Sequence, residues 1–127
     1  MAIVQELLDL HPMSRCRVCG FDHFPFFPWG EDGKLPSFEI CGCCGAQFGY
    51  SDTTVQGCYW VRKRWVETEK CAFWSWPTEK PPANWSPSTH LTLVPTAFRT
   101  TDDDRLIALA GECERTGLHL QQRPRLP

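Results

Sequence analysis

The feature that most constrains this chain is a repeated pentapeptide, Cys-x-x-Cys-Gly, present as Cys16-Arg17-Val18-Cys19-Gly20 and Cys41-Gly42-Cys43-Cys44-Gly45. In such a knuckle two thiolates share one tight turn, backbone N–H groups point at sulfur, and the glycine takes the positive φ that closes the turn. Two knuckles supply four thiolates, a complete tetrahedral set for zinc. The 21 residues between Cys19 and Cys41 are close to the spacing of roughly 15 to 20 residues found in zinc sites. Aligning the copies puts Cys43 at an inner position that points away from the metal. The expected ligands are therefore Cys16, Cys19, Cys41 and Cys44, with Cys43 spare and Cys43→Ser nearly silent.

The chain has eight cysteines in 127 residues, an even count that raises disulfides as the alternative. The opening "MAIVQELLDLHP" carries Gln5, Glu6 and Asp9 where a secretory leader needs an apolar core. No run of about 18 apolar residues exists to span a membrane. With no route to an oxidising compartment, the expectation is a cytoplasmic protein that ligates metal. A redox Cys-x-x-Cys belongs beside a βαβ pattern, and neither pair has one. Rubredoxin-type iron uses similar knuckles, so iron stays open beside the favoured zinc.

Catalytic zinc keeps a position for water and usually has a histidine or carboxylate ligand, whereas this set is all thiolate. His11, His23, His90 and His119 form no H-x-x-x-H pair. His23, four residues beyond Cys19, could substitute as a ligand but reads better as a surface or supporting histidine. Phosphate-binding loops, dinucleotide fingerprints and nucleophile elbows are missing from the sequence. The reading is one structural metal ion and no enzyme.

The expected fold is α+β: a small zinc-ribbon or rubredoxin-like β unit packed against two or three short helices. One domain is expected over 1–120, with the ribbon at 14–52, a helix and Trp/Pro loop at 53–88, and a strand and helix at 89–118. The tail 119–127 reads as frayed. Residues 2–10 have the spacing of a short amphipathic helix ended by Pro12. "SFEI" alternates like a strand, with Phe24, Phe27, Trp29 and Phe38 as the ribbon's apolar cover. A helix from about Thr54 to Lys70 opens on a Thr53–Gln56 capping box. Its apolar stripe is Val55, Cys58, Tyr59, Trp65 and Val66, with Arg62, Lys63, Glu67 and Lys70 largely outside. Cys58 reads as a small buried hydrophobe. The stretch from Pro77 to Ser88, with Trp74, Trp76 and Trp85 around it, is an ordered wrapping loop. "HLTLV", His90 to Val94, is an edge strand stopped by Pro95. Thr101-Asp102-Asp103-Asp104 starts a last helix to about Arg115, with Leu106, Ile107, Leu109, Ala110 and Cys113 inward and Gly117 near its end.

Together "CRVCGF", "PSFEICGCCGAQFGYSD", "RKRWVE" and "PPANWSP" resemble the bacterial cysteine-rich CPCC family over residues 14–88. That family carries two cysteine knuckles, a helix with R-x-x-W and a Pro-Pro-x-x-Trp loop. Gly42 stands where the family signature has proline, and Arg17 replaces the usual proline after the first cysteine. The thiols are retained. The resemblance implies a small metal-binding protein with no assigned reaction, and proteins of this size are often partners of another protein.

A net charge of −2 argues against nucleic acid as the default partner. The leading expectation is a non-enzymatic, zinc-stabilised protein-binding module, most sharply an immunity protein that neutralises a bacterial toxin. Asp102, Asp103, Asp104 and Glu112 would then face a basic active site, although the three aspartates also serve as a helix cap. The alternatives are a nucleic-acid-binding ribbon using Arg15, Arg17, Arg62, Lys63 and Arg64, and a rubredoxin-like electron carrier.

Overall fold

A computed structural model describes residues 11–120; the N-terminal helix expected over 2–10 and the tail 121–127 lie outside the described residues. Three α-helices form the frame: α1 (Val55–Glu67), α2 (Pro87–Leu91) and α3 (Asp103–Thr116). Short 3-10 turns at His11–Ser14, Thr96–Phe98 and Leu118–Leu120 join or end them. No helix among the described residues is long and apolar enough to cross a membrane.

The expected β unit of a zinc ribbon is not found. Among the described residues β pairing is limited to two isolated antiparallel bridges, Arg15 with Asp22 and Ile40 with Gln47. The chain between the knuckles cannot build a ladder, because Pro25, Pro28 and Pro36 lack the N–H that a strand interior must donate. Its backbone bonds are local instead: Phe26 N donates to His23 O, Gly30 N to Phe27 O, and Gly33 N to Gly30 O. Its aromatics do not cover a ribbon either, since Phe24 and Phe38 are 59% and 58% exposed. The fold is helical with a loop-built cysteine core.

Helix α1 begins one residue later than the capping box requires. Thr54, extended at φ −132°, is the N-cap, and its hydroxyl accepts from Gly57 N at 2.9 Å. Gln56 therefore falls one position short of the reciprocal bond. Cys58, Trp65 and Val66 face inward as expected, whereas Val55 is exposed. Arg62, expected outside the stripe, is buried at 1% exposure.

The strand expected at His90–Val94 is also absent. Pro87 sits in the first turn of α2 behind the N-cap Ser86, where its missing N–H costs nothing. His90 and Leu91 close this helix, and Thr92, Leu93 and Val94 continue as turns bonded to Thr89, His90 and Leu91. Tertiary packing has overridden the β-branched pattern. Helix α3 forms where expected and ends at Gly117 in the left-handed conformation, φ 76°, but its N-cap Asp102 makes no side-chain cap bond.

The core gathers seven of the eight cysteines with Val18, Phe48, Trp65, Val66, Phe73, Leu91, Leu106 and Ala110. Trp85 of the Pro-Pro-x-x-Trp loop closes one side, edge-on to Phe73 and stacked on His119 at 5.5 Å. His119 is thus held by a ring contact at the start of the segment expected to fray.

Candidate metal centre

Both knuckles are built by the same local bonds. In the first, Cys16 N donates to Phe21 O at 3.0 Å and Gly20 N to Cys16 O at 2.9 Å. In the second, Cys41 N donates to Ala46 O and Gly45 N to Cys41 O, each at 2.8 Å. The closing glycines have φ of 81° and 85°, which other residues adopt only with strain. Val18 N points at Cys16 Sγ from 3.4 Å, the N–H to sulfur contact expected of a knuckle.

The sulfurs of Cys16, Cys19, Cys41 and Cys44 all lie within 4.8 Å of one another and form a buried tetrad that could hold a metal ion. Cys16 Sγ is 3.7 Å from Cys44 Sγ, and Cys19 Sγ is 3.8 Å from Cys41 Sγ. Four sulfurs about 2.3 Å from a central zinc would stand about 3.8 Å apart along the edges of a tetrahedron. The donor set therefore fits a tetrahedral thiolate metal. All eight cysteines of the chain are free thiols.

Electrostatically the tetrad is one proton-sharing network. Burial, then hydrogen bonding within the cluster, pushes the Cys19 and Cys44 thiols well above their ordinary range. Burial acts the same way on Cys41 but is outweighed by hydrogen bonds from Cys16, Cys19, Cys44 and His23, so Cys41 is held well below that range. A bound cation would replace the remaining thiol protons.

A second layer fixes each knuckle. His23 Nε2 lies 3.5 Å from Cys41 Sγ and does not belong to the four-sulfur group. Trp74 N donates to Cys43 O and Ser75 N to Gly42 O, at 3.0 and 2.9 Å, docking the Trp loop on the second knuckle. Over the first knuckle, Arg62 Nε donates to Val18 O at 2.6 Å and one of its terminal nitrogens to Arg17 O at 2.9 Å. The Arg17 guanidinium is sandwiched between the Trp29 and Phe98 rings, 3.8 and 4.4 Å from their centroids. The buried Asp52 accepts from Trp29 Nε1 at 2.8 Å and from Gly49 N at 2.7 Å.

Sequence reasoning missed His90 and the inward turn of Arg62. His90 Nε2 lies 3.7 Å from Cys43 Sγ, and its Nδ1 is 2.7 Å from Cys19 O. Burial would raise the Cys43 thiol, yet hydrogen bonds with Cys19 and His90 outweigh it and bring it to about 7. The signal for a helical His90 was present as Ser86-Pro87, a cap followed by proline at a helix start.

The four acidic residues do not form one free face. Asp103 is buried against Arg62 at 3.0 Å. Asp102 is bound by Arg105 at 2.6 Å and by the Tyr59 hydroxyl. Asp104 is exposed, and Glu112 is exposed while paired with Arg115 at 3.3 Å. Of the basic triplet, Arg62 is out of solvent, and Lys63 and Arg64 pair with Glu67 and Glu69. No protein-family model matches this chain, and no curated protein or solved structure matches it either.

Proposed function

We propose that this chain is a non-enzymatic, zinc-stabilised protein-binding module, most sharply a bacterial immunity protein that occupies and neutralises a cognate toxin. The observation that carries the binding reading is the cleft of mixed aromatic and polar lining beside the second knuckle. Phe26 and Ile40, 43% and 46% exposed, line a cleft of about 430 Å³ together with Phe21, Phe48 and Phe73. Phe24 and Phe38, on the same inter-knuckle segment, are exposed further still. Large apolar groups grouped at a surface mark sites that another protein covers.

Phe38 adds a second argument. It sits at φ 61°, a left-handed conformation that is costly for a bulky residue, and it is 58% exposed. Its ring rests on Gly49, where an added Cβ would meet Phe38 Cε1 at 2.8 Å, and more than half of the residue stays open to a partner. The metal's role is to hold this loop-built face rigid, because four thiolates leave no coordination position for a substrate. Glu39, Glu79 and Lys80 rim the cleft and give a partner charges to read. The resemblance to the CPCC family, and the frequency with which such compact bacterial proteins serve as partners, support the toxin-neutralising form by analogy.

The test is protection. The protein is co-expressed with the toxin candidates encoded beside its gene, and growth and co-purification are measured. Protection by the native chain, lost in Phe26→Asp and Ile40→Asp variants that keep their metal, is the expected result. Failure to protect against or bind any neighbouring candidate overturns the toxin form. Equal binding by the native chain and both variants overturns the aromatic face.

A further inference from the structure

We propose that Cys43 and His90, with Cys19 as a shared thiolate, form a second metal site adjoining the tetrad. This rests on the tetrad being metal-loaded and goes beyond it. The Cys19 and Cys43 sulfurs and a ring nitrogen of His90 lie within 4.8 Å of one another, all on buried residues. Cys43 has no place in the tetrahedral set, yet it is fully buried and directed at an imidazole.

The state of that imidazole follows from its partners. A backbone carbonyl can only accept, so the Cys19 O contact at 2.7 Å requires the proton to be on His90 Nδ1. A bound metal would displace any proton from Nε2 and leave that nitrogen's lone pair on the side of Cys43. This is the arrangement of a metal-bound histidine, whose second nitrogen is fixed by a carbonyl or carboxylate. The Cys43 Sγ to His90 Nε2 separation is 3.7 Å. Sulfur at about 2.3 Å and nitrogen at about 2.05 Å from a tetrahedral zinc would be about 3.6 Å apart. The spacing matches a ligand edge here, as it does in the tetrad.

Two further observations favour a built site. His90 is flanked by rings: it stacks on Trp65 with centroids 6.1 Å apart at 23°, and Phe21 meets it edge-on at 5.7 Å. Its backbone is closely packed, since a Cβ on Gly20 would fall 1.8 Å from His90 O. Charge gives the site a driving force. A divalent ion with four thiolates leaves two net negative charges among residues at 0–1% exposure, and buried uncompensated charge is costly. A second soft cation bridged through Cys19 reduces that charge. It would also tie α2 to the second knuckle.

The experiment counts zinc per chain, by elemental analysis and native mass spectrometry, after purification with excess zinc and removal of loosely held ion. Two zinc ions in the native protein, falling to one in Cys43→Ser and in His90→Gln, is the expected result. One zinc in the native protein, unchanged in Cys43→Ser, overturns the second site and leaves the tetrad standing. No zinc in the native protein removes the tetrad reading as well. Zinc X-ray absorption on the native protein makes the test independent of whether the variants fold. Mixed sulfur and nitrogen scattering with a zinc–zinc distance is expected, and an all-sulfur shell with no second zinc overturns the proposal.

Discussion

The Arg62 guanidinium lies 3.0 Å from the Asp103 carboxylate, with side-chain exposures of 1% and 10%. The same guanidinium also donates to the carbonyls of Val18, Arg17 and Phe98. One side chain of α1 thereby joins the first knuckle, the turn before α3, and the start of α3. A planar group with five donors can do this, and a lysine could not.

Breaking the pair by Asp103→Ala leaves a buried cation without its counter-charge, which costs about 3–5 kcal/mol. Arg62→Lys keeps the charge but loses the fork, so it should also destabilise and loosen the first knuckle. Urea unfolding of the two single variants and the double variant measures the coupling. A coupling near zero would show that the carbonyl contacts alone carry Arg62.

Replacing any tetrad thiol should release the metal. Structural zinc contributes on the order of 10 kcal/mol to folding, comparable to a small domain's whole stability. Cys16→Ser, Cys19→Ser, Cys41→Ser and Cys44→Ser should each lose the tetrad ion and unfold by circular dichroism, as should the native chain under a strong chelator. Cys43→Ser should stay folded. Loss of all metal in Cys43→Ser with retention in Cys41→Ser would overturn the assignment.

Acid should release the metal monotonically. Burial holds the Cys19 and Cys44 thiols well above their ordinary range, so these thiolates exist only while a cation displaces the proton. Each step down in pH favours the proton. A colorimetric zinc indicator should therefore report faster and fuller release as pH falls from 8 toward 5, and a flat profile would argue against thiolate ligation.

Alkali should weaken the fold through Cys58. Burial first, then the Asp52 carboxylate, raises this thiol to about 12. The unfolded chain ionises Cys58 in its ordinary range while the folded chain keeps it neutral. The contribution to stability is thus complete below that range and is lost as pH rises toward about 12. Cys58→Ala should flatten the fall in melting temperature between pH 9 and 11. An unchanged slope would mean that other groups set it.

The knuckle glycines should not be interchangeable with alanine, and their costs should rank. A Cβ on Gly20 would lie 1.8 Å from the backbone oxygen of His90, whereas one on Gly45 would meet the Trp74 side chain at 2.3 Å. Backbone yields less than an indole, so Gly20→Ala should destabilise more than Gly45→Ala. Gly117→Ala, with nothing within 4 Å, should cost only about 1 kcal/mol for its left-handed φ. Thermal melts of the three variants give the order directly.

The sequence by itself determined the tetrad, α1 and α3. Cys16 and Cys19, like Cys41 and Cys44, are placed by bonds that span five residues, so spacing and a following glycine suffice to specify each knuckle. Helix α3 likewise carries its own start in Asp103 and Asp104 and its own stop in Gly117. Only the tertiary structure decided the rest. Arg62 turns inward because Asp103, 41 residues away, and two knuckle carbonyls receive it. His90 meets Cys43 across 47 residues of chain. The expected β unit gave way to loops because three prolines removed the donors it needed. Local patterns encode local bonds, whereas the pairing of a buried charge or a buried imidazole depends on partners that no local window contains.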